Sequence, residues 1–182
     1  MTNGLVVMTP SSVAKTGASS TATINADGSV TFGLCETLSL NGVFTGDYDN
    51  YMVIIRYKND DQGVEFVARL RASGTDSTTG YTYQLLNANG STVSASRTST
   101  TYGRLASQSV NPCGLSLYMF GPYLSQPTAY RTVTEDLGST ATRIHDFAGT
   151  HSISSSYDGL TLKSDSTSIV YTGLVTVFGF NQ

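Results

Sequence analysis

A chain of 182 residues and 19.3 kDa has the length of one domain, and folding at that size removes roughly 70% of the unfolded surface, so a core needs neither disulfide nor metal. Only 13% of the residues are charged while 39% are apolar, which excludes disorder and favours a β-rich surface of Ser, Thr and Gly over exposed Lys/Glu helices. A net charge of −3, with the basic residues scattered, excludes an electrostatic nucleic-acid binder.

The chain opens with GLVVM, which predicts a strand near 4–8 after the turn dipeptide Asn3-Gly4. The stretch from Met8 to Thr23 is the loosest, so residues 1 to about 18 read as an arm or linker. Strands near 20–25 and 29–34 flank Asp27-Gly28 as a hairpin, and one near 36–40 leads into Asn41-Gly42. From 51 to 58 the side chains alternate: Tyr51, Val53, Ile55 and Tyr57 face one way, and Met52, Ile54, Arg56 and Lys58 the other. Asn59-Asp60-Asp61-Gln62-Gly63 makes a charged turn into a strand near 63–71, with Val64, Phe66, Ala68 and Leu70 on its apolar face. A hairpin at Asn89-Gly90 joins strands near 81–87 and 91–96, and further strands are expected near 101–106, 114–120, 129–135 and 143–148. Pro122 and Pro127 should break any strand between Tyr118 and Tyr130. Asp158-Gly159 precedes a strand near 159–163, and the last strand spans 168–180. That strand is apolar on both faces, Val170, Leu174, Phe178 and Phe180 against Ile169, Tyr171, Val175 and Val177. It should be central and doubly covered, or buried against a neighbouring subunit, with Gly173 and Gly179 permitting a bulge or bend. Helical periodicity is nearly absent. The pattern predicts an all-β, antiparallel, jelly-roll-like β-sandwich, a single domain over 1–182 with a short N-terminal arm.

Few residues suggest chemistry. His145-Asp146 and His151 could form a base or metal site, but adjacent strand residues face opposite ways. His145 and His151 would also lie about 20 Å apart on an extended strand, so both read as ordinary surface histidines. Asp47, Asp49 and Asn50, with Asp60 and Asp61, fail the calcium-loop pattern because Tyr51 takes the next alternate position, and they read as turn formers. No serine sits in a G-x-S-x-G elbow. Catalysis is not expected, and neither is a cofactor or metal. Cys35 and Cys113 could pair in space but carry no spacing signal, and they read as buried free thiols, the alternative being a disulfide. No apolar run approaches the ~20 residues of a spanning helix, and Met1-Thr2-Asn3 opens no signal peptide. The chain should therefore be made and assembled in a cytoplasm. The tyrosines are more suggestive: Tyr102, Tyr123 and Tyr130 are candidates to stack on a sugar ring or pack on a partner, or else to cap the ends of the sandwich.

GLVVM, then LNGVFTGDYDNYMVIIRY, then FVARLRASGTD, and at the end SYDGLTL before YTGLVTVFGFN, resemble a β-sandwich module of virion structural proteins of tailed bacteriophages. The resemblance spans Gly4 to Asn181 in order. It implies a virion location, with the major capsid protein or other virion proteins as partners, and a homo-oligomer, a trimer being the form phage architecture suggests. Tail-fibre proteins of this kind carry an N-terminal anchor and a shaft, whereas here the sandwich begins within a few residues of Met1. That favours a capsid decoration (cement or knob) protein over a fibre, the alternative being a tail-fibre-associated or receptor- or glycan-binding protein acting on a host surface glycan. Leu5, Val6 and Val7 are then a candidate docking arm that adds to a coat-protein sheet edge, or simply an edge strand of the sandwich.

Overall fold

The computed structural model describes residues 4–60, 64–107, 111–137, 142–166 and 170–181. Asp61, Gln62 and Gly63 of the charged turn, Asn3 of the first turn dipeptide, and Ile169 with the start of the last predicted strand lie outside the described residues. The strands in chain order are β1 (Val6–Val7), β2 (Ser12–Thr16), β3 (Thr21–Ile24), β4 (Val30–Cys35) and β5 (Thr37–Asn41). There follow β6 (Asn50–Asn59), β7 (Phe66–Ala72), β8 (Thr75–Asp76), β9 (Tyr81–Asn89), β10 (Thr92–Thr100) and β11 (Gly103–Ala106). The last five are β12 (Cys113–Phe120), β13 (Gln126–Leu137), β14 (Thr142–Ser155), β15 (Gly159–Ser164) and β16 (Tyr171–Phe180).

These strands form two antiparallel sheets packed as a sandwich. The larger runs β10-β9-β14-β13-β12-β6-β16-β4-β3, with β1 also paired to β16, and the smaller runs β11-β7-β15-β5-β2, with β8 on β7. The alternation in β6 sets the inner face: Tyr51, Val53, Ile55 and Tyr57 are buried, while Ile54, Arg56 and Lys58 are exposed. From the facing sheet Phe66 of β7 stacks on Tyr57, ring centroids 4.5 Å apart, and Tyr171 of β16 tilts against Phe66 at 4.6 Å. Each such ring removed from water contributes roughly 1.5–3 kcal/mol, so this trio ties three strands together.

Turn chemistry falls where the dipeptides place it. Gly90 at φ +58° opens a two-residue hairpin loop between Asn89 and Thr92, where a type II′ turn needs glycine. Asp27 accepts hydrogen bonds from the Ser29 amide (3.0 Å) and hydroxyl (2.6 Å), fixing the β3–β4 turn and holding its carboxyl below the usual range. Three expectations are corrected. Residues 12–16 are not a linker but β2, paired with β5 from Ser12↔Asn41 to Thr16↔Thr37. Pro127 does not break a strand; it sits inside β13 where the register with β14 shifts, a bulge that needs no amide from it. And β16 is central, between β6 and β4, but covered within this chain on its inner face only: Leu174 is exposed and Phe178 and Phe180 half-buried on the other.

Candidate functional site

The residues expected to contact a partner do not converge. Tyr123 is exposed in the loop after β12, beside Gly46. Tyr102 is half-buried ahead of β11, and burial raises its phenol pKa. Tyr130 is a correction: it points inward from β13, only 5% exposed, with its ring over Gly103 and Gly149, so it cannot stack on a sugar or a partner. Val6 and Val7 are paired with Gly179 and Phe178 of β16, and the Met8 amide donates to the Val177 carbonyl at 2.8 Å. The candidate arm is therefore an edge ribbon of the larger sheet, with Leu5 and Val7 exposed on it.

The two histidines are also corrected, because both are buried. His145 and His151 share the inner face of β14, as their even spacing requires, while Asp146 turns outward and accepts from Arg131 Nε (3.1 Å) and Nη2 (2.6 Å). His151 packs between the rings of Tyr81 and Tyr157, its Nε2 2.9 Å from Ser77 Oγ, and burial lowers its pKa. Burial together with the nearby Arg104 and Arg143 cations lowers the His145 pKa to about 4. Asp47 and Asp49 belong to turn chemistry: Thr45 Oγ1 donates to Asp47 at 3.2 Å, and Asn181 ties both residues through backbone contacts. Among the described residues no three His, Cys, Asp or Glu side chains group as a metal site would require. Cys35 and Cys113 are both buried, and burial raises the Cys35 pKa.

What the structure does bring together is the outer face of the larger sheet. Register places Leu86, Asp146, Val133, Ser116, Ile54 and Thr176 in one row across β9, β14, β13, β12, β6 and β16. A neighbouring row runs Arg131, Tyr118, Met52, Phe178 and Val7. Ile54, Leu86, Val133 and Tyr118 are exposed, as are Phe120, Ile144 and Leu174 around them. Gly114 and Ser116 floor a shallow trough between Ile54, Arg56, Val133 and Ile144. Among the described residues the charges on this face include Arg56, Lys58, the Arg131–Asp146 pair and, at the β10 margin, Arg97 in the row of Arg131. Compared with known proteins, the chain matches no family model and no curated protein sequence.

The outer face of the smaller sheet is different. Arg71 Nη1 donates to Ser39 Oγ (2.7 Å), Asp76 Oδ1 (2.6 Å) and Thr161 Oγ1 (2.6 Å), and Nη2 to the Gly74 carbonyl. Those hydrogen bonds hold both Nη groups of a buried cation and cover the central strands with polar groups. The molecule thus has one sealed outer face and one broad, partly apolar outer face. The second can bury a large area against another surface. Its residues were readable as apolar side chains on the wetter alternates of β6, β12 and β13, notably Ile54, Tyr118 and Val133.

Proposed function

We propose that the protein is a non-enzymatic structural protein of a tailed-phage virion, a capsid decoration (cement or knob) protein that docks on the outer surface of the head. The observation that carries this reading is the exposed apolar outer face of the ten-stranded sheet, taken with the resemblance of the strand and turn wording. A decoration protein needs a rigid body and a docking surface, and an apolar area rimmed by Arg56, Lys58 and Arg131 supplies the second. Val7 lies in register with Phe178, so the N-terminal ribbon adds its side chains to this face instead of acting as a separate arm. Its partners in this reading are the major capsid protein or other virion proteins.

Immuno-gold labelling of virions with antibody to the chain tests the proposal. Gold over heads is expected, and gold confined to tails overturns it. Val133→Asp, at a site 49% exposed and with its fold checked by circular dichroism, should lower head labelling by about ten-fold if the face makes the contact. A second reading, a receptor- or glycan-binding protein, is favoured by the exposed Tyr118, Phe120 and Tyr123. It predicts that the purified protein stains host cells and blocks phage adsorption.

A further inference from the structure

β10 (Thr92–Thr100) is unlike the other sheet edges. It pairs with β9 over its whole length, from Thr92↔Asn89 to Thr100↔Tyr81, with no register shift. Its other side therefore presents a regular row of backbone donors and acceptors to solvent. The remaining edges are blunted: β3 has 4 residues, β11 has 4 and a shift between Arg104 and Ala106, and β2 has 5 and carries Lys15. β10 has 9 residues, contains no proline, and its one charge is Arg97. It is exposed on both faces except at half-buried Thr100, so it gains little from burial within its own chain.

We propose that β10 seats a two-fold contact between two copies of this chain, the larger sheet continuing antiparallel across the axis. A second copy fits because the strand complements itself. With the axis at Ser96 all residues of β10 pair: Ser96 with Ser96, Ser94 with Thr98, Thr92 with Thr100, Ala95 with Arg97, and Val93 with Ser99. One face of the junction then consists of hydroxyl pairs, which cross-strand contacts favour. Arg97 of each copy faces Ala95 of the other. Moving the axis to Arg97 would set the two arginines directly opposite each other, which is destabilising, and any axis other than Ser96 leaves residues of β10 unpaired. The contact is isologous and closes at two copies. It is made along the backbone edge of β10, at the margin of the outer face where Ala95 and Arg97 continue the rows of Leu86 and Arg131, and it does not depend on a virion role.

Sedimentation equilibrium of the full chain reads the proposal. The wild type is expected at twice the 19.3 kDa chain mass. Ser96→Glu, at an exposed site whose fold is checked by circular dichroism, sets two carboxylates opposite each other and should weaken the dimer by about ten-fold or more. Ser96→Lys should do the same, and an equimolar mixture of the two variants should recover the dimer mass. A wild type that stays monomeric at 100 μM (about the upper end of such measurements), or an oligomer of any size whose mass Ser96→Glu leaves unchanged, overturns it. Either result leaves the virion reading standing, and gold confined to tails leaves the dimer standing.

Discussion

Tyr130 is wedged between two glycines, and that arrangement explains both its burial and its misleading sequence context. A Cβ on Gly149 would lie 2.3 Å from Tyr130 Cζ, and one on Gly103 would lie 3.1 Å from the same atom. Gly149→Ala should therefore cost about 1–3 kcal/mol or more by overpacking. In a Tyr130→Leu background the ring is gone, and the same substitution should cost less by at least about 1 kcal/mol. A double-mutant cycle in urea checks this, and additive costs would show that the ring does not feel the Cβ. The sequence pointed the other way because β13 reverses the usual cue: its buried row is Thr128, Tyr130, Thr132 and Thr134, while exposed Val133 sits on the outer row. Thr132 is held inside by donating to the Leu105 carbonyl at 2.6 Å. Hydrophobic alternation cannot reveal a buried row made mostly of threonines.

At the level of strands, legibility follows burial. β6, β7 and β16 carry the core rings, and their alternation or apolar content was plain in the sequence. β2 escaped because an edge strand with one half-buried side chain, Val13, shows no period of two. β10 was recognised from its turn, Asn89-Gly90, but its second half was not, since a strand of hydroxyls exposed on both faces resembles a loop. Gly173 was legible for a different reason, as a glycine inside an otherwise regular strand. The register of β16 on β4 shifts between Tyr171 and Gly173, and a Cβ at Gly173 would lie 2.2 Å from the Arg56 carbonyl oxygen. Backbone cannot give way there as a side-chain end could. Gly173→Ala should lower the melting temperature by roughly 4–8 °C, corresponding to a cost of about 2 kcal/mol. Gly114→Ala, where the nearest atom would be 3.6 Å away, is the matched control in the same sheet and should change it little. Equal effects would exclude the close approach as the cause.

For the whole molecule, the two histidines couple stability to pH. His145 is folded in with a pKa of about 4, and His151 is also lowered by burial, from an ordinary value near 6.5. Between those values the unfolded chain binds protons that the folded chain does not, so stability rises with pH in this window. The contribution is fully present above 6.5 and is lost as pH falls toward 4. His145 alone should account for about 1–3 kcal/mol of that loss. Glu65, which pairs with Arg104 at 2.5 Å, acts in the opposite sense. Burial raises its pKa above 4.5, so it binds protons more readily when folded and offsets part of the loss at the acidic end. Asp27, whose pKa is lowered by Ser29, withdraws stability only as pH falls below about its ordinary value of 3.8. The expected curve is a decline from pH 6.5, shallower near 4.5 and renewed below 4. Urea denaturation of the wild type at pH 7.5 and 4.5 measures the difference. His145→Gln with His151→Gln cannot take up protons in the unfolded state, so the difference should shrink or reverse, whatever the variant's absolute stability. An unchanged difference would place the titration on other groups.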